Sequence, residues 1–280
     1  TMGARCREFE VQFSKALGVR HAVFVNSGSS ANLLAIFAIA NSAVPQSLSR
    51  LRLDKGSEVI VPAVTWPTTV WPIVQAGAIP VFVDCDPTTL QLHISELDSA
   101  ISDRTRAVVA THVLGNHSDM NAILSFSQRH GLWLIEDTCE SLGTLSDNKQ
   151  LGTFGDLGTF SFFFSHHIST IEGGMVVTQS DEMANLLRCL RSHGWSRELK
   201  GDYASVEKDS DIDSSFIFVN TGFNVRPTEI NGALGLVQLR KWAEFNEARS
   251  RIAAFWDHAL QPLIRNGEIS LMRTPESSEV

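Results

Sequence analysis

The 280-residue sequence has only four cysteines, Cys6, Cys85, Cys139 and Cys189, and no two of them stand at CxxC spacing. That dispersal argues against a zinc site or any other metal centre and against a disulfide framework between near neighbours; it fits a reducing, cytoplasmic compartment. No run of Lys and Arg forms a basic patch and the formal net charge is −8, so nucleic acid is a poor candidate ligand. Long apolar runs are missing as well. The strongest, AVFV at 22–25 and GTFSFFF at 158–164, are of strand length, far short of the roughly 20 residues that cross a bilayer. No basic opening followed by an apolar stretch starts the sequence, so no secretory signal is expected. Neither GxGxxG nor GxxxxGK[ST] occurs, which removes the usual dinucleotide and nucleotide phosphate loops.

What is present is a chain that is 43% hydrophobic and 19% charged, ample for a large core. Apolar β-rich runs alternate with helical patterns: HAVFVN, SSANLLAIFAIANSA, EVIVPA, TTVWPIVQAGA, IPVFVDC, then SELDSAIS, RAVVATHV, DMNAILSFSQRHG, LWLIEDTC and LGTFSFFF. This alternation predicts an α/β fold, a mostly parallel sheet with helices on both faces. Residues 196–215, with six acidic and three basic side chains, read as an exposed loop. The stretch from TEINGAL to LQPLI has apolar residues at helical spacing and predicts one long helix or two in line.

Four stretches carry chemistry. VNSGSSANLLAI at 25–36 follows a strand and opens a helix, placing Gly28 and Ser29 where free N–H groups and the positive dipole end favour a phosphate. The same residues also suit an ordinary capped start, with Ser27 or Ser29 as the cap. LWLIEDTCESLGT at 132–144 runs four apolar residues into Glu136 and Asp137, putting a carboxylate at the strand end where α/β sheets bind ligands; a pair of solvated carboxylates is the plainer reading. VPAVTWPTTVWP offers Trp66 in a strand-to-helix turn, either as a platform or as core filler. TFSFFFSHHISTIEGG at 159–174 sets His166 five residues after Ser161. Consecutive side chains on extended backbone point to opposite faces, so His166 and His167 do not pair as metal ligands.

The order of these signals resembles the DegT/DnrJ/EryC1/StrS family of sugar aminotransferases. The resemblance runs from FEVQFSKALGVRHAVFVNSGSSA through EVIVPAVTW, AGAIPVFVDCDPTTLQL, THVLGNHSDM, LIEDTCESLG, GTFGDLGTFSFFFSHHISTIEGG and RSHGW to GFNVRPTEINGALGLVQLRK. It implies a pyridoxal-phosphate-dependent transferase of fold type I, with a sheet of the seven-stranded type. Residues 1–195 would form the large cofactor-binding domain, led by a helix over 1–20. The segment 196–215 would be a loop, and 216–280 a helical link into a small C-terminal domain that looks largely missing. On this resemblance Gly28, Ser29 and Ser161 hold the cofactor phosphate, Trp66 stacks on the pyridine ring, and Asp137 bonds the pyridine nitrogen so that the ring is an electron sink. Glu140 falls near the phenolic oxygen. Asn224 reaches the cofactor of the neighbouring subunit, implying a homodimer, and Arg191, His193 and Trp195 approach the substrate.

The departure from the family is His166, which stands where the pattern S-F-x-x-x-K has its lysine. An imidazole does not form the lysine's stable Schiff base, so pyridoxal 5'-phosphate or pyridoxamine 5'-phosphate is expected to be held noncovalently. Within the family, a histidine there followed by HISTIEGG implies loss of the C3 hydroxyl from a nucleotide-linked 4-keto-6-deoxy sugar, as in colitose formation. His166 is then the base, a GDP-sugar the expected substrate and glutamate the amino donor. The alternatives are a sugar aminotransferase without its lysine, a noncatalytic binding protein, and the iron-sulfur dehydrase of CDP-sugars. The last needs clustered cysteines, which this sequence lacks.

Overall fold

Cys6, Phe9, Phe13 and Leu17 recur at helical spacing, and all four are buried on α1 (Ala4–Leu17) in the computed structural model. Gly18, at φ 70°, ends this helix in the left-handed conformation that costs glycine little. The structure describes residues 2–199, 213, 216–273 and 278–279.

The main sheet contains β1 (His21–Val25), β2 (Glu58–Pro62), β3 (Ile79–Val83), β4 (Thr105–Thr111), β5 (Trp133–Asp137), β8 (Leu157–Ser161) and β9 (Gly174–Thr178). Its order is β1-β9-β8-β5-β4-β2-β3. The expected seven-stranded, mostly parallel sheet is therefore present, interrupted by β9, which runs antiparallel to both neighbours. Two short strands, β6 (Leu145–Ser146) and β7 (Lys149–Gln150), pair beside it with β10 (Ser278–Glu279).

Alternating side chains supply both faces. On one face Val23, Val25, Val59, Val61, Val109 and Ile135 pack beneath α2 (Gly28–Ile39), α3 (Pro67–Gln75) and α6 (Asp181–Arg191). On the other, Ile60, Val108 and Leu134 meet α4 (Leu97–Ala100) and α5 (Met120–Arg129). Further along that face Phe24, Phe160 and Phe162 meet α1 and the long α7 (Glu229–Arg265). Phe9 lies edge-on to Phe24 at 5.0 Å and to Phe162 at 5.3 Å, contacts worth about 0.5–1.5 kcal/mol each beyond their burial.

The helical stretch after Pro227 is one continuous helix of 37 residues, α7, started by a capping box between Thr228 and Asn231. Of the loop expected over 196–215, residues 200–212 and 214–215 lie outside the described residues. The described start of that segment departs from exposure, because Ser196 is buried and Glu198 pairs with Arg191. No helix among the described residues is long and apolar enough to cross a membrane.

β1 is an edge strand, and at Phe24 its open side is closed by side chains. Phe24 N–H donates to Glu10 Oε1 at 2.8 Å, and Phe24 C=O accepts from Arg191 Nη1 at 2.8 Å. Glu10 and Arg191 pair with each other at 2.6 Å, so an ion pair takes the positions of a missing strand's amide groups.

Candidate active site

The C-terminal ends of the parallel strands bring most of the candidate residues to one edge of the sheet. Asp137 ends β5 and Ser161 ends β8, while Ser27 caps α2 immediately after β1. Ser27 Oγ accepts from Ser30 N–H at 3.1 Å, so Ser27 is the cap and Ser29 is left exposed, its hydroxyl donating to Thr68 Oγ1 at 3.0 Å. Gly28 faces Ser161 so closely that a Cβ at residue 28 would lie 2.5 Å from Ser161 Cβ and 2.9 Å from its Oγ. Only a residue without a side chain allows so close an approach.

Both strand-end carboxylates are buried, which removes the solvated reading. Glu136 is fully buried and accepts from the N–H groups of Gly152, Phe154 and Gly155 at 2.7–2.8 Å and meets His112 Nε2 at 3.1 Å. Its role is to fold the chain between β7 and β8 onto β5. Asp137, on the opposite face of the strand, is 4% exposed. Its Oδ2 accepts from Asn32 Nδ2 at 2.8 Å and Thr69 Oγ1 at 2.7 Å, and its Oδ1 from Cys139 N–H at 3.2 Å. Thr159, paired with Asp137 across the sheet, donates to Asn32 Oδ1 at 2.6 Å and so fixes which end of the amide faces the carboxylate. Burial and the charge of Asp137 raise the Cys139 thiol well above its ordinary value, so it is no thiolate nucleophile.

Asn32, Thr69 and Thr159 escape the sequence reading. Asn32 did carry a signal: it is the lone amide in an otherwise apolar and small-residue helix, and a buried amide requires a partner. α3 adds two more groups, since its first turn holds Thr68 and Thr69 and its cap residue is Trp66. Trp66 is 66% exposed at this edge, an aromatic surface rather than core filler.

His166 and His167 sit on the loop after β8, which α7 holds in place. Ser169 N–H donates to Gln238 Oε1 at 3.3 Å and Arg249 Nη2 to the His167 carbonyl at 3.1 Å. Burial holds His166 below the ordinary histidine pKa of 6.5, against the opposing pull of the nearby Glu140 and Asp137 charges. His167 is pushed down to about 4 by burial, reinforced by Arg249 and His166, and its Nδ1 is buried without a partner among the described residues. Glu140 is half-buried, with Oε2 accepting from Leu114 N–H at 2.8 Å, so it also anchors the turn after β4.

Asn224, His193 and Trp195 form a second group, organised by Arg226. Asn224 Oδ1 accepts from Arg226 Nε at 3.1 Å, Arg226 Nη2 lies 3.1 Å from His193 Nε2, and the guanidinium sits 5.4 Å from the Trp195 ring. Asn224 itself is exposed. Arg191 joins neither group. It is 1% exposed and its guanidinium is taken by Glu10, Glu198 and the Phe24 carbonyl, a supporting position rather than the substrate contact expected for it. Among the described residues, no group of three or more His, Cys, Asp or Glu side chains is placed to hold a metal ion.

The sequence matches the DegT/DnrJ/EryC1/StrS aminotransferase family over residues 1–279. It is 43% identical over 258 residues to the GDP-4-keto-6-deoxy-D-mannose 3-dehydratase of Escherichia coli O55:H7 (strain CB9615 / EPEC). That alignment covers 91% of this chain, which spans 65% of the length of the relative. Among solved structures, the E. coli GDP-4-keto-6-deoxy-D-mannose-3-dehydratase with bound hydrated PLP superposes at a TM-score of 0.87 and 42% identity, over 93% of this chain and 66% of that one. GDP-4-keto-6-deoxymannose-3-dehydratase with a trapped PLP-glutamate geminal diamine also has a TM-score of 0.87 at 42% identity, over 93% of this chain and 67% of that one. Matched along nearly its whole length and carrying these motifs in order on one sheet edge, the chain belongs to the DegT/DnrJ/EryC1/StrS aminotransferase family.

Proposed function

We propose that the chain is a cofactor-dependent lyase that removes the C3 hydroxyl from a nucleotide-linked 4-keto-6-deoxy sugar, with a GDP-sugar as substrate and glutamate as amino donor. The cofactor is pyridoxal or pyridoxamine phosphate, held noncovalently in a cytoplasmic homodimer, and the reaction is a step of colitose-type deoxysugar synthesis. The carrying observation is His166, five residues beyond Ser161 on the loop after β8, at the lysine position of the family pattern and within reach of the charges of Asp137 and Glu140. The relatives named 3-dehydratase, and the bound PLP and glutamate adduct in their structures, support this reading.

The residues fit such a cofactor. Gly28, packed directly against Ser161, brings the free N–H groups at the start of α2 beside the Ser161 hydroxyl with Ser29 on the rim, a grouping that suits a phosphate at a helix N-terminus. Asp137, oriented by Asn32 and Thr69, presents a buried carboxylate suited to hold a protonated pyridine nitrogen. Trp66 offers a face for the ring. When bound, the cofactor supplies an electron sink for breaking the sugar's C3–O bond. His166 supplies the proton movement: its lowered pKa keeps the imidazole neutral at pH 7, able to take a proton and return it to the departing hydroxyl. Asn224 is assigned to the partner subunit's cofactor, and His193 and Trp195 to the substrate.

The test is incubation with pyridoxamine phosphate, glutamate and GDP-4-keto-6-deoxymannose, followed by mass analysis. A 3-deoxy ketosugar with 2-oxoglutarate and ammonia is the expected result. A stable amino sugar would identify an aminotransferase instead, and cofactor binding without turnover a binding protein. His166→Lys is expected to link the cofactor covalently, seen as a shifted absorbance, and to suppress dehydration.

A further inference from the structure

A cleft of about 510 Å³ runs along the open edge of β1 between α1 and α6, away from the residues gathered around Asp137. Its size falls within the range of small-ligand sites. In a chain of net charge −8 it is lined by five arginines and two glutamates. Some of that charge is already spent. Arg20 pairs with Asp181 at 2.7 Å, and Arg191 with Glu10 and Glu198 at 2.6 Å each.

Two cations of the lining are not spent in this way. Arg188 is half-buried, and Arg7 is exposed at the rim; neither side chain makes a hydrogen bond or ion pair among the described residues. Arg191, although 1% exposed, has its Nε buried without a partner among the described residues. An unpaired guanidinium and an orphaned N–H in a half-desolvated cleft are costly unless something answers them. Burial, with the charge of Arg191 alongside, draws Arg188 below the ordinary arginine pKa despite the opposing pull of Glu10 and Glu198.

We infer that this cleft is a binding site for a small polyanion, a phosphate ester or a polycarboxylate, whose clustered anionic oxygens bridge Arg188 and Arg7. Planar guanidinium groups match both kinds of oxyanion, and a ligand with two or more charges can engage both arginines. The site is independent of the reaction proposed above and does not require it.

Titration calorimetry on the full chain, loaded with pyridoxal phosphate to occupy the phosphate position assigned to Gly28, Ser29 and Ser161, tests this with pyrophosphate and with citrate as probes. Binding by at least one probe is expected, and which one binds separates the two ligand classes. Arg188→Gln and Arg7→Gln are each expected to weaken it about tenfold or more, the loss of one charge-assisted contact. Arg188→Lys should retain part of the affinity and Ser161→Ala all of it. Arg7 is exposed, so its variant reports even if the Arg188 variant folds poorly. Failure of both probes to bind at millimolar concentration, binding indifferent to both arginine variants, or binding abolished by Ser161→Ala would each overturn the inference.

Discussion

Thr69 Oγ1 lies 2.7 Å from Asp137 Oδ2, so the first turn of α3 donates directly to the carboxylate that ends β5. With Asn32 at 2.8 Å on the same oxygen, two elements far apart in sequence fix one side chain. Thr69→Val keeps the shape and removes a hydrogen bond to a charged group, a loss of about 1.5–3 kcal/mol. Turnover is expected to fall with cofactor affinity retained through Gly28 and Ser161, and Asp137→Asn should do the same more severely. Parallel cofactor titrations and rate measurements check both.

The pH dependence of kcat/KM follows from the surroundings of His166. The imidazole must be neutral to accept a proton, and its pKa is lowered below 6.5, so activity should be lost only as pH falls below that value. Glu140 raises the pKa of His166, so Glu140→Gln removes a stabiliser of the protonated form and should move the acid limb to still lower pH. A limb that moves upward, or not at all, would show that Glu140 does not reach the titrating group.

Gly28→Ala places a methyl group 2.5 Å from Ser161 Cβ, nearer than such atoms pack. Relieving that clash should cost about 1–3 kcal/mol of stability and push the Ser161 hydroxyl away from the position assigned to the phosphate. The double variant Gly28→Ala with Ser161→Gly should recover melting temperature without recovering cofactor affinity. Recovery of both would mean that the close contact serves packing alone.

His167 links stability to pH. Its folded pKa of about 4 lies below the ordinary 6.5, so between those values the unfolded chain binds more protons than the folded one. The stabilisation is complete above 6.5 and drains away as pH falls toward about 4. His167→Gln should flatten that part of the melting-temperature profile while leaving the neutral-pH value nearly unchanged.

The sheet was legible because its strands announce themselves: EVIVP and LWLIED are apolar runs bounded by turns, and LWLIED ends in carboxylates at the ligand edge. β9, GMVVT, is equally apolar, yet nothing in five residues encodes that it enters antiparallel between β1 and β8. At the candidate site the sequence exposes residues whose own position is diagnostic, such as Asp137 at a strand end and His166 after Ser161. Thr69 and Thr159 were hidden because a threonine in a helix turn or strand is unremarkable until the fold brings it to a carboxylate or an amide. Arg191 failed for the opposite reason. Its neighbours in RSHGW suggested a ligand, but the decisive partner, Glu10, lies 181 residues away.

The pairing of Glu10 and Arg191 across Phe24 also bears on how the chain survives before it is fully folded. A bare edge such as HAVFV, apolar and without charge beyond its first residue, is a template for another molecule's strand. By occupying Phe24's outward N–H and C=O, two side chains from α1 and α6 leave no free amide pair there for an intruding chain to join. Until α1 and α6 are both docked, that amide pair is open to another chain.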